Sequence, residues 1–355
     1  MKLSTLAKAT TAASLPLLLS MARSLVPPLY RAAFLVGASG SGVLARLADR
    51  PQDADTLADA LEVAGDRQLL RAWLELGVQL GELGVDGGRY RLNSRTAKAL
   101  AAARNDSVAA GLAEVVRFHV PVLLDAPEML RTGRRLSLAD QDGAIIARSS
   151  RVVQPFVEEA IDRVLDRRAP LRLLEIGCGS GIYVRHAAMA NRRLTAVAVD
   201  FQAEVAEEAA ANIAAWGLSD RVEVRRADVR ELHLEPQFDL VTMHNNIYYF
   251  PVEERTALLE HARSLLAPGG RLLLTTSCRG GTLSMEVLNL WFEFADFGGP
   301  LPEADDLADQ MRTAGFDDVH TRRLIPGDQF CSFVGVNPSV GSAAATGPDS
   351  QERTA

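Results

Sequence analysis

The sequence has few cysteines, few aromatics and no excess of positive charge. Its three cysteines, Cys178, Cys278 and Cys331, are scattered without a Cys-x-x-Cys or zinc-type spacing. That excludes a disulfide framework and a cysteine-held metal, and it fits a reducing, cytoplasmic setting; no metal site is expected. Cys178, inside a glycine turn, reads as a small buried filler rather than a reactive thiol. The formal net charge of −7 lacks the electrostatic footprint of a nucleic-acid partner. Residues 1–36 are apolar and nearly free of acids, but Pro16 interrupts them, Arg23 and Arg31 follow, and no run there approaches the ~20 residues of a membrane span. Lys2 and Lys8 ahead of Ala12 to Leu19 only faintly suggest a secretory signal. The stretch reads instead as one or two helices that pack on a partner subunit, broken at Pro27-Pro28, with peripheral membrane contact the minor reading. There is no internal repeat and no glycine run ending in Gly-Lys-Ser/Thr, so a P-loop is excluded.

What is present is a strand–turn–helix stretch, Leu171-Arg172-Leu173-Leu174-Glu175-Ile176-Gly177-Cys178-Gly179-Ser180-Gly181. The apolar run suits a central parallel strand covered on both faces. The three glycines allow a tight turn and are expected to expose backbone N–H groups close to a ligand. A dinucleotide fingerprint needs G-x-G-x-x-G; here Ile182 takes the place of its third glycine. A second strand, Leu194 to Val199, ends in Asp200, roughly twenty residues after the turn, where a βαβ nucleoside site puts the carboxylate for ribose hydroxyls. A third strand, Val222 to Val224, leads to Ala227-Asp228-Val229. A fourth, Phe238 to Met243, ends in His244-Asn245-Asn246. A helix end, a Pro268-Gly269-Gly270 turn and a fifth strand follow. Val319 to Ile325 and Gln329 to Val336 should form a closing hairpin.

In this order residues 171–336 resemble a class I S-adenosylmethionine-dependent methyltransferase. The resemblance rests on Glu-x-Gly-x-Gly-x-Gly, the acid ending the second strand, Ala-Asp-Val after the third and Pro-Gly-Gly before the fifth. It implies an α/β fold, a doubly wound Rossmann-like sheet, with S-adenosyl-L-methionine as cofactor and a small-molecule acceptor. It further implies that Gly177, Gly179 and Gly181 pass the methionine end of the cofactor and that Glu175 orients its ammonium group. Asp200 would take the ribose, Phe201 the adenine face, Asp228 the adenine amino group, and Val229 would offer its backbone N–H. Plant-type members carry His-Asp-Trp after the fourth strand. Aligning on Glu253-Glu254 puts Tyr248-Tyr249-Phe250 there, so the family's His base is replaced by Tyr248, and O-, C- and N-methylation all stay open. His244, at the end of the fourth strand, is a further candidate for cofactor binding and is expected to titrate near neutrality. It and Tyr248 are the catalytic candidates; the other role for His244 is to fix the Asn245-Asn246 loop. Asn245, Tyr248, Tyr249, Trp291 and Phe294 are candidate substrate contacts, the aromatics of the Ser277–Pro302 insertion being equally consistent with core packing.

Ahead of this domain, helices start at Val43 and Asp55, the second capped by Asp55 or Thr56. A third carries Leu69, Leu70, Trp73, Leu74 and Leu76, and a hairpin surrounds Asp86-Gly87-Gly88. That order looks like a winged helix. Its third helix is too apolar and too evenly charged for base readout, and by resemblance it would serve a homodimer. The expected organisation is residues 1–103, N-terminal helices and a mostly α-helical winged-helix-like dimerisation domain; 104–168, a helical connector and pocket wall, in which His119 reads as a packed residue; 169–337, the methyltransferase domain; and 338–355, a disordered tail. The alternative to an enzyme is a winged-helix regulator, or a non-catalytic partner, that binds S-adenosylmethionine as a ligand.

Overall fold

The structure, a computed structural model, describes residue 8, residues 14–235 and residues 237–338. Nearly all of the expected tail, from residue 339 on, lies outside these residues, as does the start of the faint secretory pattern. The chain divides into two units, Met1–Leu123 with Asp142–Val152, and Leu124–Gln141 with Val153–Ala355. The stretch read as a connector, 104–168, is therefore shared between them.

In the first unit, helices Ser14–Ser24 and Val26–Gly40 meet at Leu25. Pro27-Pro28 sits in the first turn of the second helix, where a missing N–H leaves no hydrogen bond unmade. Helices Val43–Asp49, Ala54–Ala60 and Arg67–Gln79 follow. The cap of Ala54–Ala60 is neither Asp55 nor Thr56 but Asp53, whose carboxylate accepts from the Thr56 amide at 2.8 Å. The leucine stripe on Arg67–Gln79 also needs correction. Leu70, Trp73, Leu74 and Gly77, spaced i, i+3, i+4, i+7, form the inward face. Leu69 and Leu76 flank it and are 70% and 47% exposed. A Cβ at Gly77 would run into the ring of Phe34, which packs against Trp73 at 5.1 Å. The hairpin is present as β1 (Leu83–Asp86) and β2 (Arg89–Leu92), antiparallel. Glu82, fully buried at the start of β1, is paired with Arg31 and accepts from Ser94. Helices Arg95–Ala101 and Asp106–Glu114 lead through a π-helical turn, Val115–His119, into Val120–Thr132. The helical run Ala103–Thr132 is long and apolar enough to cross a membrane by length and composition, a test that the core helix of a soluble protein also passes. His119 is buried, with Glu114 3.7 Å from its Nε2.

The second unit is built on one sheet. Its strands are β3 (Leu171–Ile176), β4 (Leu194–Asp200), β5 (Val222–Arg226), β6 (Phe238–His244), β7 (Leu266–Ser277), β8 (Asp317–Arg323) and β9 (Phe330–Val336). They lie in the order β5-β4-β3-β6-β7-β9-β8. Pairings from β5 to β7 are parallel; β9 is antiparallel to both β7 and β8, which is the expected closing hairpin. Helices Gln154–Val164, Ile182–Ala190 and Ala203–Ala215 pack Val157, Ile161, Val184, Ala187, Ala209 and Ile213 into one core with Leu173, Leu194, Ala196 and Leu240. Pro268-Gly269-Gly270 does not precede the fifth strand; it lies inside β7. Phe238 pairs with Leu266 and Leu240 with Arg271, so the extra residues bulge out of the ladder. Gly270 is required there, because a Cβ would lie 2.8 Å from the Phe238 carbonyl oxygen. Helices Arg255–Ser264, Leu283–Glu293 and Ala304–Thr313 also belong to this unit.

Candidate active site

In an open parallel sheet the ligand crevice lies beyond the carboxyl ends of the strands, where the strand order reverses. Here that point falls between β3 and β6, with β4 on the other side of β3. It gathers Glu175, the glycine turn, Asp200 and His244. The turn does not work as its composition suggests. The amides of Gly177 and Cys178 both donate to the Val199 carbonyl, at 2.8 and 2.9 Å. The Gly179 amide donates to Asp200 Oδ2 at 3.1 Å and that of Gly181 to the Cys178 carbonyl. The glycines therefore do not present a row of open N–H groups. They are needed for backbone: Gly177, Gly179 and Gly181 have φ of 67, 53 and 77°, which L-residues with a Cβ rarely adopt. Cys178 is buried in the core behind them, and burial pushes its thiol pKa far up, so it acts as a packed filler.

Glu175, the penultimate residue of β3, has both carboxyl oxygens buried and without a hydrogen-bond partner. The Val184 amide faces it, but not at hydrogen-bond geometry. Burial raises its pKa to about 8, helped by the nearby charge of Asp200. A buried carboxylate without donors is a costly arrangement, and a cationic or N–H-rich ligand would relieve it. His244 ends β6 one step along the same face. Its Nδ1 lies 2.8 Å from the Thr275 hydroxyl, and its Nε2 is buried without a partner. Burial lowers its pKa to about 3, which corrects the expectation that it titrates near neutrality. Nor does it fix the Asn245-Asn246 loop. Asn245 (φ 54°) is held by its own amide on the Thr275 carbonyl, and Asn246 donates to the Ile176 carbonyl at 2.6 Å. The Asn246 Oδ1 is another buried atom without a partner. Tyr183 closes this corner, its ring edge-on to His244 at 4.9 Å.

Asp200 accepts one amide on each oxygen, from Gly179 and from Gln202, and burial raises its pKa. Each oxygen keeps a lone pair for a hydroxyl. Phe201 beside it is 52% exposed. Asp228 caps the short helix Val229–Glu231 and is gripped by Arg230, with Nη2 at 2.7 Å, a hydrogen bond that lowers its pKa. Val229 itself is buried.

The aromatic candidates form one cluster. Tyr248 packs on Tyr249 (5.3 Å) and Phe292 (4.8 Å), Tyr249 on Phe297 (5.9 Å), and Trp291 on Phe292 (5.3 Å). Phe294 is half-buried and makes no ring contact among the described residues; its carbonyl accepts from the Leu136 amide. Trp291 and Phe292 are buried core, while Tyr249 and Phe297 are half-buried at its edge. Arg255, almost fully buried, holds the short turn after β6, Ile247–Tyr249, in place by donating to the carbonyls of Phe250 (3.1 Å) and Pro300 (2.8 Å). Tyr183, Arg230, Asn246, Arg255, Thr275 and Phe292 are site residues that sequence reasoning did not single out. Only Asn246, in the quoted strand end, and Phe292, in the aromatic run, carried a signal. No group of three or more His, Cys, Asp or Glu able to hold a metal exists among the described residues.

A seven-stranded sheet with this order and closing hairpin, a glycine turn after its central strand and an acid ending the next, defines the class I methyltransferase fold. The family model described as a methyltransferase domain matches residues 174–272. Demethylspheroidene O-methyltransferase of Rhodobacter capsulatus is 23% identical over 194 residues, 53% of this chain and 48% of that protein. The 27-O-demethylrifamycin SV methyltransferase of Amycolatopsis mediterranei is 34% identical over 128 residues, 33% of this chain and 45% of that one. The chain thus spans under half the length of these curated relatives. The solved mitomycin 7-O-methyltransferase superposes with a TM-score of 0.71 at 18% identity, covering 94% of this chain and 99% of that one.

Proposed function

We propose that this chain transfers a methyl group from S-adenosyl-L-methionine to a small-molecule acceptor of secondary-metabolite type. The observation that carries the reading is Glu175, a buried carboxylate with both oxygens unpartnered, set beside a glycine turn and the Asp200 carboxylate. These residues fit the cofactor. Glu175 suits its ammonium group, Asp200 keeps lone pairs for ribose hydroxyls, and Phe201 offers a face to the adenine. When bound, the cofactor supplies an electrophilic methyl group on a good leaving group. The chain's part is to position the acceptor, and holding two reactants in line accounts for most of such an acceleration. His244 is kept neutral by burial, and Tyr248 sits in the aromatic cluster; both orient rather than remove a proton. Tyr249 and Phe297 form the part of the cluster open to an acceptor.

We further propose that the protein is a cytoplasmic homodimer. Leu17, Leu18, Leu25 and Leu29 are more than half exposed, an apolar surface that a second copy would cover. The regulator reading is disfavoured by charge. On the third helix Arg67 and Arg71, which would meet phosphates, are paired with Asp59 and Asp55.

Calorimetry with S-adenosylmethionine, S-adenosylhomocysteine and NAD tests the cofactor, and an acceptor screen read by mass spectrometry tests the transfer. Binding of NAD alone would overturn the reading. Light scattering tests the dimer, and a monomer, or flotation with vesicles, would count against it.

A further inference from the structure

Two buried groups in this crevice are of opposite kind. Glu175 has two carboxyl oxygens without a hydrogen-bond partner, an acceptor for an ammonium group once its proton is released, and His244 has a ring nitrogen, Nε2, without a partner. They are neighbours. Glu175 stands opposite Thr242 in the β3–β6 register. His244 follows Thr242 by two residues, so both side chains leave the same face of the sheet a step apart.

What Nε2 can offer depends on which nitrogen of the neutral ring carries the proton. The Thr275 hydroxyl decides this. It is fully buried, and its one hydrogen-bond partner is His244 Nδ1, at 2.8 Å. If Nδ1–H donated to it, the hydroxyl proton would be left buried without an acceptor. If the hydroxyl donates to Nδ1, both groups are satisfied and the ring proton sits on Nε2. The second arrangement wins because it leaves one buried group without a partner, the Nε2–H, where the first leaves two, the hydroxyl proton and the Nε2 lone pair. The Tyr183 ring, edge-on to the imidazole, limits its rotation away from this position.

Building on the cofactor reading above, we propose that Thr275 is a positioning residue: its hydroxyl donates to His244 Nδ1, fixes the Nε2–H tautomer, and thereby makes His244 the donor for the carboxylate of the amino-acid zwitterion whose ammonium group Glu175 takes. A zwitterion presents an ammonium and a carboxylate on one carbon. The pair of acceptor and donor, adjacent on one sheet face, matches it.

The test has two parts. Imidazole 15N spectra of the ligand-free protein report the tautomer directly. The proton is expected on Nε2 in the wild type and in Thr275→Ser, and the preference is expected to be lost in Thr275→Val, with folding checked by thermal melting. Calorimetry with S-adenosylhomocysteine then reads the consequence. Thr275→Val should bind roughly tenfold more weakly, in keeping with a hydrogen bond to a charged group, and Thr275→Ser should restore binding. The decarboxylated analogue should bind the wild type and Thr275→Val equally. A wild-type Nδ1–H tautomer would overturn the proposal, as would unchanged affinity for S-adenosylhomocysteine in Thr275→Val. If the decarboxylated analogue loses as much as the parent compound, the acceptor of the hydrogen bond is not the carboxylate and that assignment falls. No binding of S-adenosylhomocysteine to the wild type would overturn the cofactor reading instead, while the spectra of the ligand-free protein still judge Thr275.

Discussion

Asn246 donates from Nδ2 to the carbonyl of Ile176 at 2.6 Å, pinning the loop after β6 to the last residue of β3. The same amide nitrogen would lie 2.5 Å from a Cβ at Gly177. The two strand ends that define the crevice are thus locked together through a space that only glycine leaves empty.

Gly177→Ala should therefore damage the site twice. The residue would be held at a φ of 67°, which costs roughly 1–2 kcal/mol for a residue with a Cβ, and it would displace Asn246. Chemical denaturation should show a loss of at least that size, and calorimetry a weaker affinity for S-adenosylhomocysteine. Gly177→Ala combined with Asn246→Ala should relieve the clash but not the φ cost. A single variant with wild-type stability would mean that the turn relaxes freely.

The two shifted groups act in opposite directions on stability. Glu175 is raised from 4.5 to about 8, so between those values the folded protein holds a proton the unfolded chain lacks, and stability falls as pH rises. His244 is lowered from 6.5 to about 3, so within that window stability falls as pH drops. The two cancel between 4.5 and 6.5. From 6.5 to 8 only Glu175 acts, and the ligand-free protein should lose stability by up to ~1.4 kcal/mol per pH unit. Glu175→Gln should flatten that slope. Calorimetry of S-adenosylmethionine binding in buffers of different ionisation enthalpy should show proton release near pH 7, absent in Glu175→Gln.

The succession of strands along the chain and the position of the crevice were legible because local patterns carried them: an apolar run into glycines, an acid at a strand end, a second strand end in His-Asn-Asn. What failed depends on partners far away in the chain. That the turn's amides are consumed by Val199 and Asp200 follows from the β3–β4 register, not from the glycines. Pro268-Gly269-Gly270 reads as a turn in isolation, and only the pairing of Phe238 with Leu266 makes it a bulge. Leu69 and Leu76 belong to a helical stripe by spacing, but Phe34 occupies the inward face one residue round. Thr275 and Arg255 have no local signature at all. One is chosen by its neighbour strand, the other by two carbonyls that the turn after β6 and the Gly298-Gly299-Pro300 loop leave unpaired.

That loop offers a sharper test of the aromatic cluster. Gly298 has a φ of 65°, a Cβ there would collide with the Tyr248 carbonyl oxygen, and the Gly299 amide donates to that same oxygen at 3.1 Å. Gly298→Ala should therefore move the Tyr248–Phe250 turn while leaving the cofactor corner alone. The expected outcome is a raised KM for the acceptor with little change in S-adenosylhomocysteine affinity. Phe292→Ala, by contrast, empties buried core and should cost about 3–5 kcal/mol of stability. Equal effects of both variants on cofactor affinity would show that the cluster and the cofactor corner are one unit.

The remaining question is whether any residue acts as a base. A histidine helps as a general base when its pKa lies near the working pH, and burial holds His244 at about 3. It is also engaged through Nδ1, leaving Nε2 to donate. The pH profile of turnover should then carry no inflection from His244 between pH 5 and 8. His244→Gln keeps an amide donor at similar reach, so it should retain much of the rate and lose mainly affinity, appearing in KM for the cofactor. Tyr248→Phe keeps the ring contacts with Tyr249 and Phe292 and removes only the hydroxyl; its cost should be modest and fall on orientation of the acceptor. General-base catalysis is typically worth about 100-fold or more. A drop of that size in His244→Gln, together with loss of a wild-type inflection near neutrality, would show that the imidazole takes the acceptor's proton. It would also require that a bound acceptor raises the His244 pKa well above about 3, which 15N spectra of the ternary complex would detect.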